Sequence, residues 1–123
     1  PAANHNAISV ALAFHRAIGS ERKAARLLYL RERWAALLLE AGPRVKLWTP
    51  REPGWGWGIG LLQVEGIDTG KLFGYLWDKH RIVISPTKHA QFEGIRISPN
   101  IYTTVEEIDV FVAAMKKAIA DGV

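Results

Sequence analysis

The 123-residue chain has no cysteine. Disulfide frameworks, thiolate zinc sites and thiol nucleophiles are excluded together, although the compartment is not decided by this, and cytoplasm is only the default. Its longest apolar runs fall well short of the 18 residues that a membrane-spanning helix needs, so no membrane partner is expected. No basic stretch leads into an apolar one at the N-terminus, so no signal peptide is read. The sequence opens on Pro1 with no initiator methionine, which suggests a piece of a longer chain. Disorder is also excluded, because 49% hydrophobic and 23% charged residues are the composition of an ordinary globular domain.

Acidic residues are scarce in the first half. Up to Arg51 there are nine Lys or Arg against three Glu, and beyond it seven against nine acidic residues, giving +6 and −2 and hence the net +4. The basic run lies on a segment that Glu21, Glu32 and Glu40 interrupt and that no groove-reading motif surrounds. It reads as a solvated helix face, and no nucleic-acid partner is expected. His5, His15, His80 and His89 show no paired ligand spacing, so no metal site is expected.

Apolar periodicity from Asn6 through Ile8, Leu12 and Ile18 predicts an Ala-rich helix stopped at Gly19. Ser20 is expected to cap a second helix with Leu27, Leu28, Trp34, Leu38 and Leu39 on one side, ended by Gly42 and Pro43. Val45 to Leu47 and Ile59 to Val64 read as strands divided by a Pro- and Gly-rich loop from Pro50 to Gly58. Asp68 or Thr69 is placed to cap a third helix carrying Leu72, Phe73, Leu76 and Trp77. A strand is then expected over Arg81 to Ser85, stopped by Pro86. Ile95 to Ser98 alternates with period two and closes at Pro99. Thr104 and Glu107 form a capping box for a last helix with Ile108, Phe111, Val112, Met115 and Ile119 on one stripe. The expected fold class is α+β: a two-layer sandwich, with a small, mostly antiparallel sheet and helices packed on one face.

Three segments carry a resemblance at matching order and spacing: ISVALAFHRAIG (residues 8–19), LLQVEGIDTGKLFGYLWDKHRIVIS (61–85) and GIRISPNIYTTVEEIDVFVAAM (94–115). They resemble the C-terminal part of class V aminotransferases, fold-type I enzymes that use pyridoxal 5′-phosphate. The resemblance implies an inter-domain helix over residues 1–19 and a small C-terminal domain over 20–123. It also implies a separate large domain, absent here, which carries the Schiff-base lysine and most cofactor contacts. The implied enzyme is a homodimer acting on a small amino-acid substrate. The chain itself would then hold no cofactor and no catalytic residue, and would be inactive alone.

By the same resemblance, Arg96 receives the substrate α-carboxylate. Residue alternation agrees, because Ile95 and Ile97 turn to one face and leave Arg96 and Ser98 on the other, where a planar guanidinium is free to pair with a carboxylate. Lys88 and His89 lie on the loop before that strand and are candidates to touch substrate. Cysteine desulfurases carry their persulfide-forming cysteine on this loop, which here reads PTKHAQFEG, so desulfurase chemistry is excluded. Trp48, Trp55 and Trp57 are expected to be packed, against the implied large domain or a partner subunit, rather than to stack on a ligand. The alternative reading is a free-standing truncated domain that self-associates or docks on another protein through its apolar first helix.

Overall fold

The computed structural model describes residues 2–52 and 54–123; Pro1 and Pro53, the latter within the Pro- and Gly-rich stretch, lie outside the described residues. Eight elements follow one another: α1 (Ala2–Ile18), α2 (Ser20–Leu39), β1 (Val45–Leu47), β2 (Gly60–Val64), α3 (Thr69–His80), β3 (Ser85–Lys88), β4 (Glu93–Ile97) and α4 (Val105–Asp121). The strands form one sheet in the order β1-β2-β4-β3, and every neighbouring pair is antiparallel. Helices α2, α3 and α4 cover one face, giving the expected α+β two-layer arrangement.

Strand alternation decides which side chains meet the helices. Val45, Leu62, Val64, Ile95 and Ile97 are buried, and they pack with Leu30, Trp34 and Leu38 of α2, Leu72 and Leu76 of α3, and Ile108, Phe111, Val112, Met115 and Ile119 of α4. Trp34 stands edge-on to Phe111 with centroids 6.4 Å apart. Its ring passes so close to β2 that a Cβ on Gly60 would lie 2.6 Å from it. A glycine is therefore the residue that lets the largest core side chain reach the sheet.

The helix ends follow their capping chemistry. Asp68 accepts from the Lys71 amide at 2.9 Å, and this backbone bond, more than the nearby lysines, holds its carboxyl below the usual carboxylate range. Thr104 and Glu107 form the reciprocal capping box of α4 at 3.1 and 2.8 Å. Ser20 does not cap α2. It is the first helical residue, and the cap is Gly19, at φ 90°, with no side-chain bond. With one residue between α1 and α2, only a glycine turns the chain that sharply. Across the helix layer, Arg33 of α2 pairs with Asp109 of α4 through two hydrogen bonds of 2.8 and 2.7 Å. Those bonds raise the Arg33 pKa and lower that of Asp109.

The strand expected over Arg81 to Ser85 is displaced. Residues 81–84 are not strand, and β3 runs from Ser85 through Pro86 to Lys88. Arg81 instead takes the left-handed conformation, φ 56°, and closes α3, with the Arg81 and Ile82 amides donating to Trp77 and Leu76 carbonyls. Pro86 is tolerated inside the strand because β3 is an edge, where a missing N–H interrupts no ladder on its outer side. β4 likewise begins earlier than expected, so Gly94 lies within the strand and not before it.

Candidate substrate-binding face

The sheet face away from the helices is open, and antiparallel register assigns its side chains. Paired residues share a face, so one cross-strand row reads Trp48, Leu61, Arg96 and Ser85, and the next Lys46, Gln63, Gly94 and Thr87. Arg96 is exposed there, between buried Ile95 and Ile97. Among the described residues, its guanidinium makes one long contact, Nη2 to Ser85 Oγ at 3.4 Å, and has no carboxylate within ion-pair range. An unpaired guanidinium on a rigid central strand is available for bidentate pairing with an incoming carboxylate.

The structure separates the two loop candidates. Lys88 pairs in register with Glu93, on the parity of Ile95, so it belongs to the helix side and its Nζ lies 4.0 Å from Glu93 Oε2. His89 falls on the same side as Arg96. It stacks on Phe92 with centroids 4.7 Å apart and planes 20° apart, and its Nδ1 accepts from the Gln91 amide at 3.2 Å.

Four residues of this face, Phe92, Trp48, Gln63 and Lys46, were not singled out by sequence reasoning as part of the Arg96 face. Phe92 shares the face of Arg96 because it lies four residues before it on alternating backbone. Trp48 lies 6.4 Å from Phe92 between ring centroids, donates its indole N–H to Gln63 Oε1 at 3.0 Å, and carries the Lys46 ammonium 3.4 Å from its ring centroid. The signal that could have found Phe92 is the continuation of the same period-two count from Arg96 back through Gly94, whereas Trp48, Gln63 and Lys46 are brought to this face by strand pairing.

Trp55 and Trp57 are not packed within this chain: they are 65% and 58% exposed. No strand reaches them. Their loop is nonetheless anchored from below, because Arg31 of α2, 1% exposed, donates Nη1 to the Trp55 carbonyl at 3.3 Å and pairs with Glu32, which also holds Arg51. A groove of 520 Å³ lined in part by Ile84, Ile97, Glu107 and Phe111 opens on the helix side, where Glu107 is already committed to the capping box.

The residues present do not make a receptor for pyridoxal phosphate. Among the described residues no lysine is buried, Lys46 lies on Trp48 and Lys88 faces Glu93, so no ε-amine there stands in a shielded cavity beside Arg96. Among the described residues no group of three His, Asp or Glu gathers as metal ligands, and no helix is long and apolar enough to cross a membrane.

No protein-family model matches the chain, and no curated protein does. Solved structures do. The chain is similar to part of a cysteine desulfurase from Thermococcus onnurineus NA1, with a TM-score of 0.76 and 23% identity over 86% of this chain and 28% of that one. It is also similar to part of a Catharanthus roseus tryptophan decarboxylase solved with L-tryptophan, with a TM-score of 0.62 and 11% identity over 80% of this chain and 21% of that one. The chain thus spans less than a third of either enzyme, and what it shares with both is the fold of that part.

Proposed function

We propose that the chain is the small domain of a pyridoxal-phosphate-dependent enzyme of the class V aminotransferase type acting on an amino acid, and that Arg96 receives the substrate carboxylate. The observation that carries this reading is Arg96 itself: exposed, without an acidic partner among the described residues, and fixed on a central strand of a fold shared with part of two larger enzymes. The cofactor and its lysine belong to a large domain outside this chain. The 1–19 segment serves as the inter-domain helix, and the assembled enzyme is a homodimer. With no cysteine in the loop before β4, the chemistry is transamination, epimerisation or a related reaction, and not desulfuration.

The test is direct. The 123-residue chain mixed with pyridoxal phosphate and an amino acid is expected to show no turnover, whereas the full-length protein turns over; turnover by the chain alone overturns the assignment of catalysis to another domain.

A second reading is favoured by one observation. Ile8, Val10, Leu12 and Phe14 of α1 are 49 to 70% exposed, so this 17-residue helix carries uncovered apolar surface. As a free-standing domain the chain would bury this helix by self-association. A sedimentation experiment showing a monomer at high concentration counts against it.

A further inference from the structure

The cations of α2 fall into two groups. Arg31 and Arg33, in its second half, are paired with Glu32 and Asp109. Arg22, Lys23 and Arg26, in its first half, have no carboxylate within ion-pair range among the described residues, and neither has Arg16 at the end of α1. Glu21, the acidic residue of the first turn, lines a neighbouring groove with Ala24, Leu27 and Trp57. The fold thus sorts the basic helix into a neutralised half and a half that keeps its charge.

The charged half converges on one place. Arg22, Lys23 and Arg26 line a recess of 450 Å³ at the corner where α1 meets α2, walled by Ala17 and Ile18 of α1 and by Ile101 of the loop between β4 and α4. Two of the three are held in position. Arg26 donates Nη2 to the Thr103 carbonyl at 2.8 Å, which ties it to the same loop as Ile101, and Lys23 Nζ lies 2.9 Å from His15 Nδ1. Cations kept together without a counter-charge repel one another, and an anion placed between them relieves that repulsion.

The donor set favours one class of anion. A carboxylate brings a single charge and two oxygens, whereas a phosphate monoester carries about −1.5 to −2 at pH 7 and three terminal oxygens. Two planar guanidinium forks and one ammonium match the second. The walls at Ala17, Ile18 and Ile101 are apolar, and the volume lies within the range of small-molecule sites, about 300 to 1,000 Å³.

We propose that the α1–α2 corner binds a small organic phosphate, with Arg22, Lys23 and Arg26 on the phosphate oxygens and Ile18 and Ile101 against its carbon part. The site is separate from the open sheet face and stands independently of the reading of Arg96.

The experiment is an NMR titration of the chain with inorganic phosphate, butyl phosphate and acetate at fixed ionic strength. It is repeated for Arg22→Gln, Lys23→Gln and Arg26→Gln, with Arg44→Gln, beyond the far end of α2, as the control cation; each variant is checked for native amide dispersion. Phosphate is expected to shift the amides of residues 16–26 and 101–103 saturably and to bind more tightly than acetate. Each of the three recess variants weakens phosphate about 2- to 5-fold, the range of one exposed charge pair, and Arg44→Gln leaves it unchanged. Butyl phosphate binds about 2- to 4-fold tighter than phosphate, roughly the burial of one methylene. Equal binding of phosphate and acetate, or an Arg44→Gln effect as large as the other three, reveals attraction to net charge alone and overturns the site. Butyl phosphate no tighter than phosphate overturns the carbon part of the ligand. A thymidine oligonucleotide that shifts the same amides while neither phosphate does makes the corner a nucleic-acid contact and overturns the small-ligand assignment, as does a lack of response to all of them.

Discussion

Replacing Gly94 by alanine tests the geometry of the open face and the sheet beneath it at once. The added Cβ would lie 2.4 Å from the Leu62 carbonyl oxygen, 2.9 Å from the Leu62 carbonyl carbon and 3.2 Å from the Gln63 amide nitrogen. All three are backbone atoms of β2, paired on one side with β1 and on the other with β4, so none swings aside as a flexible side chain would. Overpacking in a well-filled interior costs about 1 to 3 kcal/mol, and relief here requires two central strands to part, which places Gly94→Ala at the upper end, about 3 kcal/mol. Gly74→Ala is the matched control. Gly74 lies inside α3 with nothing within 4 Å of its added Cβ, so alanine there stabilises by roughly 0.5 to 1 kcal/mol through helix propensity. Urea unfolding followed by circular dichroism reads both, with the midpoint falling for Gly94→Ala and rising for Gly74→Ala at unchanged slope. A Gly94→Ala protein as stable as the parent would refute the close approach of β2 and β4.

Other consequences are equally specific. Thr104→Ala removes the capping box and should cost about 0.5 to 2 kcal/mol in the same urea assay, whereas an unchanged midpoint would deny the cap a role. Asp109 titrates below its ordinary value because Arg33 hydrogen-bonds to it, so the unfolded chain takes up the proton first as pH falls. Its contribution to stability is present above the ordinary carboxylate range and disappears as pH drops through the folded-state value. Asp109→Asn should therefore destabilise at neutral pH and converge with the parent in acid; a gap independent of pH would contradict the pairing. Arg31→Met should free the Trp55 carbonyl and speed amide exchange across residues 54–58, and unchanged exchange would show that the buried arginine does not anchor the loop.

The parts of the fold that were legible in the sequence are those decided by neighbours along the chain. Thr104 and Glu107 announce α4 because a capping box is complete within four residues. Arg96 could be placed on the open face because Ile95 and Ile97 fix the parity of β4. What was not legible depends on contacts between distant segments. Pro86 reads as the end of a strand until the strand order shows that β3 is an edge. Ser20 reads as a better cap than Gly19 until α1 is seen to end one residue earlier and to need a positive φ. Arg31 has the residue type of a surface helix position, and only the return of residues 55–56 over α2 buries it. The same holds at the candidate site. Phe92 and His89 meet because the turn between β3 and β4 brings them together, and Trp48 joins them from the far edge of the sheet, 44 positions earlier in the chain.

The central claim is that Arg96 holds a substrate carboxylate. The measurement that reaches it most directly is kcat/KM of the full-length protein for its amino-acid substrate, parent against Arg96→Leu, with the fold checked by circular dichroism. A charge-assisted hydrogen bond contributes about 1.5 to 3 kcal/mol, so kcat/KM should fall by about 10- to 150-fold. A folded Arg96→Leu enzyme with undiminished kcat/KM would contradict the account.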